Sequence, residues 1–240
     1  ATNTLVDTNP TVAGVQPIKV GTDPRGMAAN SDGTRVYVSN VASNTVSVIN
    51  TSTNTVVSTI AVGRGPVGLA VNGNRLYVAN RSANTVSVID TTTNKVVGAA
   101  IAVGRGPSGV TMSPDGSVAY VSNSGKISDT DTTSVAGTVT VINTATNTVI
   151  DTNPRLPGIQ PLTVGNGPLA MAVVGNRLYV SNTGDSTVSI IDIAANGSPA
   201  LGYPAYTLSA PNAIDGSVHV QLFLADPDGD PITVVEVIQG

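Results

Sequence analysis

The sequence predicts an all-β chain: a partial, open β-propeller of four-stranded antiparallel blades, with about four full repeats and an orphan N-terminal outer strand. Three observations predict it. A unit of about forty residues recurs when the 240-residue sequence is laid against itself, at 21–62, 63–103, 104–164 and 165–208. Each unit holds four short runs of strand-forming residues separated by turn signals. No segment repeats its apolar residues with the 3.6-residue period of a helix. A unit this short cannot bury its apolar surface alone, so neighbouring copies must cover one another. A β-helix repeats at a shorter period, and a stack of immunoglobulin-like domains at a longer one.

The second unit gives the elements in order. Residues 67–71 form the first run, and Asn72-Gly73-Asn74 turns the chain because Asn and Gly tolerate positive φ. Residues 75–79, RLYVA, are rich in strand formers. A short polar loop around Ser82 and Ala83 leads to residues 85–89, TVSVI, which alternate. Residues 91–94 turn the chain again, and 95–103 make the fourth run. Residues 1–20, ATNTLVDTNPTVAGVQPIKV, match 145–164, ATNTVIDTNPRLPGIQPLTV, almost position by position. The chain thus opens in mid-repeat with an outer strand, and reads as a mature or excised segment of something longer.

Tyr37-Val38-Ser39-Asn40, Tyr77-Val78-Ala79-Asn80, Tyr120-Val121-Ser122-Asn123 and Tyr179-Val180-Ser181-Asn182 stand at equivalent places in the four units. Ser113-Pro114-Asp115-Gly116 precedes one of them, and a Thr-Val-Ser-Val-Ile-Asn/Asp run or a close variant of it comes after them. The sequence resembles YVTN-type bacterial β-propeller repeats in these motifs. The resemblance implies bacterial or archaeal surface and periplasmic proteins, often of about seven blades, that bind or scaffold. Four units and one orphan strand fall short of that count, so the expectation is an open arc with an apolar flank exposed at one end. The four motif tyrosines are expected between blades.

The tyrosine spacing is even from Tyr37 to Tyr120 and then stretches to Tyr179. Two insertions cause this: 124–137, SGKISDTDTTSVAG, between the second and third strands, and 152–161 in the outermost strand, repeated at 8–17. Loops before the first strand and after the second share one face of a propeller, and loops on a rigid scaffold are the usual seat of function. That face carries the candidate ligand-binding residues Arg64, Arg105, Asn166 and Lys126, with Arg64 and Arg105 placed to collect an anion or to stand in solvent. Asp129 and Asp131 in the insertion are a weaker pair of candidate oxygen ligands for Ca²⁺, with a mobile polar loop as the default reading. Arg35, Arg75 and Arg177 come after the first hairpin on the other face, where they pack over tyrosine or pair with Asp.

Residues 209–240 leave the repeat. Their string ADPDGDPIT at 225–233 resembles the signature of bacterial cadherin-like and immunoglobulin-like surface modules, of which this stretch would be the truncated start. In that family such strings bind Ca²⁺, and Asp226, Asp228 and Asp230 would be the hard oxygen ligands in the intact parent; the bland alternative is an Asp-Pro-Asp-Gly turn.

Composition argues against several functions. The only histidine, His219, and the only glutamate, Glu236, lie outside the repeats. A nucleophile–histidine pair is therefore impossible within the propeller, and the expectation is no enzyme. There is no cysteine, hence no thiolate metal site. With a net charge of −4, no tryptophan and one phenylalanine, nucleic acid is a poor partner. No apolar run approaches the roughly 20 residues of a membrane span, so no membrane insertion is expected. A surface rich in Thr, Ser, Asn and Gly, with only three lysines, suits an extracellular, cell-surface or periplasmic protein. The expected function is a non-catalytic adhesion or scaffold segment with a protein or cell-surface partner. A periplasmic-type ligand- or anion-binding propeller is the alternative, and a lactonase-like hydrolase the third reading.

Overall fold

The structure is a computed structural model that describes residues 17–132, 135–152 and 161–193, and, as strands only, 205–208, 220–225 and 231–232. Every regular element among the described residues is a strand. The chain forms two compact units, 1–199 and 200–240.

The first unit is a series of antiparallel sheets, one per repeat. Blade 1 is β1 (Pro24–Ala29), β2 (Arg35–Asn40), β3 (Thr45–Asn50) and β4 (Thr55–Ala61), paired in that order. Blade 2 is β5 (Pro66–Asn72), β6 (Arg75–Asn80) and β7 (Thr85–Asp90), with its fourth strand broken into β8 (Lys95–Val96) and β9 (Ile101–Ala102), both paired to β7. The sequence reading made that fourth strand continuous; Gly98, at φ 68°, bends it away midway. Blade 3 repeats this with β10 (Pro107–Met112), β11 (Val118–Asn123), β12 (Thr138–Asn143), β13 (Thr148–Val149) and β14 (Leu162–Thr163). Blade 4 shows three strands, β15 (Pro168–Val174), β16 (Arg177–Asn182) and β17 (Thr187–Asp192). The innermost strands lie in series, β1 against β5, β5 against β10 and β10 against β15, and no comparable β15–β1 contact closes a ring. The arrangement is open, a partial propeller.

The turns obey the sequence. Asn44, Asn54, Asn84, Asn94 and Asn147 take φ of 52–56°, where an ordinary side chain would be strained. Asn44 and Asn84 also stitch blades together, because their Oδ1 atoms accept from the amides of Gly65 and Gly106, each 2.9 Å away.

The core sits between blades. Tyr37, Val46 and Val48 of blade 1 pack on Leu76, Val78 and Ile89 of blade 2. Tyr77, Val86 and Val88 of blade 2 meet Ala119, Val121 and Ile142 of blade 3. Tyr120, Val139 and Val141 of blade 3 meet Leu178 and Val180 of blade 4. Each tyrosine thus faces the next blade. Register confirms their equivalence, since Tyr37, Tyr77, Tyr120 and Tyr179 stand opposite Val48, Val88, Val141 and Ile190. The first three are fully buried; Tyr179 is half-buried, because no further blade covers it among the described residues. The apolar flank expected at one end is therefore on blade 4.

The asparagine that ends each motif has its own task. Asn80 Nδ2 donates to Thr85 Oγ1 and Ser87 Oγ at 3.1 and 2.9 Å, and Asn40, Asn123 and Asn182 repeat the pattern on their own third strands. A Cβ on Gly21, Gly63, Gly104 or Gly165 would lie 2.6 Å from that asparagine side chain, which explains why a glycine opens every unit.

The second unit is a three-stranded antiparallel sheet of β18 (Ala205–Leu208), β19 (Val220–Ala225) and β20 (Pro231–Ile232). β18, which the sequence reading assigns to the fourth blade, pairs in unbroken register with Phe223 back to Val220. The orphan strand lies outside the described residues up to 16, as do most of the outer-strand insertion at 153–160 and the calcium candidates Asp226, Asp228 and Asp230.

Candidate functional site

An open cleft of about 830 Å³ lies among the inner strands and the long insertion, on the loop face that the sequence nominates. Its polar lining includes Arg25, Arg81, Lys126, Asp129, Asn166 and Thr183. Arg25 is the second residue of β1, and Arg81 comes directly after β6. Lys126 and Asp129 come from the insertion, and Asn166 from the turn that enters β15.

The insertion forms a strap. From blade 3 it reaches back across blades 2 and 1, and Asp129 accepts from Arg25 Nη2 at 2.8 Å and from Arg81 Nη1. Arg81 also donates to the carbonyls of Lys126, at 3.0 Å, and Ser128, at 3.2 Å. Ser82 Oγ donates to the Ile127 carbonyl at 2.9 Å. At the strap's root, Arg105 donates to the Gly125 carbonyl at 2.9 Å and to Asp131 Oδ2 at 2.8 Å, and the amide of Ile127 donates to that same oxygen. One carboxylate thus ties three blades. The mobile loop that the sequence suggests is held by charge-assisted bonds, which are stronger than neutral ones.

This network sets the electrostatics. Hydrogen bonds from Arg25 and then Arg81 pull the Asp129 carboxyl down to about 2. It stays ionised at neutral pH and has no proton to give or take there. Asp185 is lowered by the backbone amide of Asn166 and by its side-chain amide. Among the described residues no group of three or more His, Cys, Asp or Glu gathers for a metal ion.

The four ligand candidates separate. Lys126 and Asn166 line the cleft; Lys126 is exposed, and Asn166 binds Asp185 through both its amides, at 2.6 and 2.9 Å. Arg64 is exposed and lies off the cleft. Arg105 is spent on Asp131 and the Gly125 carbonyl, so it holds the strap and is not placed to collect an anion. On the opposite face Arg75 pairs with Asp90, and Arg177 with Asp192 at 3.1 Å.

Sequence reasoning missed Arg25 and Arg81, and it placed Asp129 in a mobile loop without its arginine partners. A signal was present in the repeat itself. The position of Arg25 holds Val67, Ser108 and Leu169 in the other units, and that of Arg81 holds Val41, Ser124 and Thr183. A charge that breaks a repeat consensus on one face marks something the repeat does not need for folding.

Comparison with known proteins agrees with this architecture. A family model described as a YNCE-like beta-propeller matches residues 7–117. Over 50 residues the chain is 54% identical to a PE-PGRS family protein of Mycobacterium tuberculosis, a match that covers 21% of this chain and 11% of that protein. Among solved structures, hydrazine synthase of Kuenenia stuttgartiensis superposes with a TM-score of 0.62 at 22% identity, over 95% of this chain and 69% of its own. A computationally designed protein, Ika4, gives 0.57 at 12% identity, over 75% of this chain and 99% of its own. A Bacteroides uniformis protein provisionally assigned as a 6-phosphogluconolactonase gives 0.55 at 14% identity, over 92% and 62%. At these identities the structures speak for the fold alone. With blades, inter-blade cores and the family match in agreement, the chain is a β-propeller repeat protein.

Proposed function

We propose that the chain is a YVTN-type, non-catalytic binding or scaffold segment of a bacterial surface or secreted protein, with a protein or cell-surface partner seated on the loop face over the cleft. The strap is the observation that carries this reading. Asp129 fixes a segment of blade 3 over blades 1 and 2 and so presents a preorganised surface of mixed polar and apolar character at low entropic cost to binding. The same network supports the non-catalytic part. The carboxylate on the cleft is committed to two arginines and held ionised. A carboxylate held in that form does not cycle a proton near neutral pH, as acid–base chemistry would demand of it.

A second reading has its own support. Arg25, Arg81 and Lys126 outnumber Asp129 on the cleft, and that excess favours an anionic group on whatever binds. The tail string with Asp226, Asp228 and Asp230 remains the calcium candidate.

Two measurements test this. Proton release from glucono-lactone and 6-phosphoglucono-lactone in weak buffer should run no faster with the protein than without it. Turnover that Asp129→Asn abolishes overturns the non-catalytic reading. Immobilised protein should retain an acidic peptide more strongly than a basic one, and Lys126→Glu should weaken that retention. Equal retention of both peptides removes the anionic preference. Labelling of intact cells of the source organism by an antibody to the chain checks the location, and signal only after permeabilisation refutes it.

A further inference from the structure

We propose that the cleft takes a small amphiphilic anion, an alkyl carboxylate of medium chain length or its sulfate or phosphate counterpart. This rests on the anionic preference of the cleft and adds the aliphatic body that the anion carries. One repeat position carries the argument. Each innermost strand begins with Pro, one variable residue and a small residue: Pro24-Arg25-Gly26, Pro66-Val67-Gly68, Pro107-Ser108-Gly109 and Pro168-Leu169-Ala170. In all four blades the pairing with the second strand shifts register just after that proline. A bulge of this kind re-aims a side chain away from the ladder. All four variable residues line the cleft.

Folding fixes the backbone at this position and leaves the side chain free. A Cβ on Gly26, Gly68 or Gly109 would stand 2.0–2.4 Å from the carbonyls of Val67, Ser108 and Leu169, so each blade packs on the next through those carbonyls. Ser39 Oγ donates to the Val67 carbonyl at 2.7 Å, and Ser122 Oγ to that of Leu169 at 2.8 Å. The side chains that such a frame holds in place are a cation, an aliphatic group, a hydroxyl and a second aliphatic group. The hydroxyl is committed, because Ser108 Oγ donates to the Pro168 carbonyl at 2.9 Å. Leu169 and Val135 are 52% and 44% exposed, and both line the cleft. No aromatic ring lines it among the described residues, which favours an aliphatic body over a stacked ring.

The charge that meets the anion comes from the strap. Arg25 is shared between Asp23, at 3.3 Å, and Asp129, and Arg81 also pairs with Asp129. Lys126 forms no ion pair among the described residues, so it is the cation left over. Its backbone is anchored, since Arg81 Nε holds its carbonyl and Ser82 Oγ holds that of Ile127. A fixed cation and an exposed aliphatic patch on one cleft match a ligand with the same two parts. The cleft, at about 830 Å³, is of the size that takes small molecules, roughly 300–1,000 Å³.

Isothermal titration of the full chain with decanoate, kept below micelle formation, tests this. Decanoate should saturate a single site, about five- to fifteenfold more tightly than octanoate for its two extra methylenes. Decyltrimethylammonium should bind at least tenfold more weakly. Lys126→Gln should weaken decanoate severalfold and keep the ratio between the two chain lengths, whereas Leu169→Asn should shrink that ratio. Ile190→Asp alters an apolar side chain on the face of blade 4 outside the cleft, and should change nothing. Circular dichroism checks that each variant is folded. No saturable decanoate binding, equal binding of the cationic analogue, or a loss with Ile190→Asp but not with Lys126→Gln overturns the proposal. Binding to phosphatidylglycerol vesicles without binding to monomeric decanoate also overturns it, in favour of a membrane surface. Retention of an acidic peptide by a protein that ignores decanoate overturns it too, and leaves the anionic preference of the cleft standing.

Discussion

Replacing Tyr77 with alanine should destabilise the chain by about 3–5 kcal/mol, and the same change at Tyr179 by only about 1 kcal/mol. The two residues occupy one repeat position and differ in whether a further blade covers them. Tyr77 is fully buried between blades 2 and 3, against Val86, Val88 and Ile101 on its own side and Ala119, Val121 and Ile142 on the other. A buried aromatic ring removes about 150–250 Å² from water. At about 25 cal/mol per Å² that is roughly 4–6 kcal/mol as an upper bound, consistent with measured aromatic-to-alanine costs once the ring's exposure in the unfolded chain is discounted. Tyr77 Oη also donates to Asn147 Oδ1 at 2.9 Å, so Tyr77→Phe alone should cost about 1 kcal/mol. Tyr120 is as buried, but its hydroxyl has no partner among the described residues, and Tyr120→Phe should be neutral or slightly stabilising. Urea titrations in dilute solution, with m unchanged among variants, read all four differences. Equal losses for Tyr77→Ala and Tyr179→Ala would refute the reasoning, since a covered Tyr179 means that the fourth blade is not an end.

Three further outcomes are expected. Gly68→Ala should cost about 1–3 kcal/mol by chemical denaturation, because its Cβ would meet the Ser108 carbonyl at 2.4 Å and the Gly109 Cα at 2.9 Å, both backbone; a neutral result means that the inner strands do not pack this closely. Asp129→Asn should leave global stability within about 1 kcal/mol, since this ion pair is largely solvent-exposed, yet release residues 124–132 to protease. Because the folded carboxyl sits at about 2, below its unfolded value near 3.9, wild-type protection of the strap should be full above about pH 4 and disappear as pH falls toward 2; protection unchanged at pH 2 denies Asp129 its role. Burial raises the phenols of Tyr37, Tyr77 and Tyr120, so the unfolded chain loses these protons first and stability should fall as pH rises above about 10. Phenolate absorbance and unfolding should then rise together; phenolates that appear well before unfolding place the rings in water.

The fold was legible because a repeat states its own rules several times over. The Thr-Val-Ser-Val-Ile run alternates with period two, and both of its faces are apolar enough to be covered, which fits a blade enclosed on two sides. Tyrosine and asparagine recur because one fills the space toward the next blade and the other bridges the third strand. Where the structure departs from that reading, the cause is local. The outer strand of blade 2 breaks at Gly98, and Ala205–Leu208 finds a partner in the tail. Neither is encoded by strand propensity, which says that a run is extended but not what it pairs with.

The candidate site was less legible for the same reason. Reading by repeat directs attention to residues that recur, such as Arg64 and Arg105 in their Gly-Arg-Gly-Pro turns, and recurrence is what a folding constraint produces. The cleft is built by residues that do not recur. Arg25 and Arg81 replace small or apolar residues in other copies, and Asp129 belongs to an insertion that has no counterpart. Their meeting depends on a loop from blade 3 crossing two blades, a contact between positions 104 and 48 residues apart. No local pattern encodes that distance. Subtracting the repeat consensus, and asking which charges remain on the loop face, finds all three.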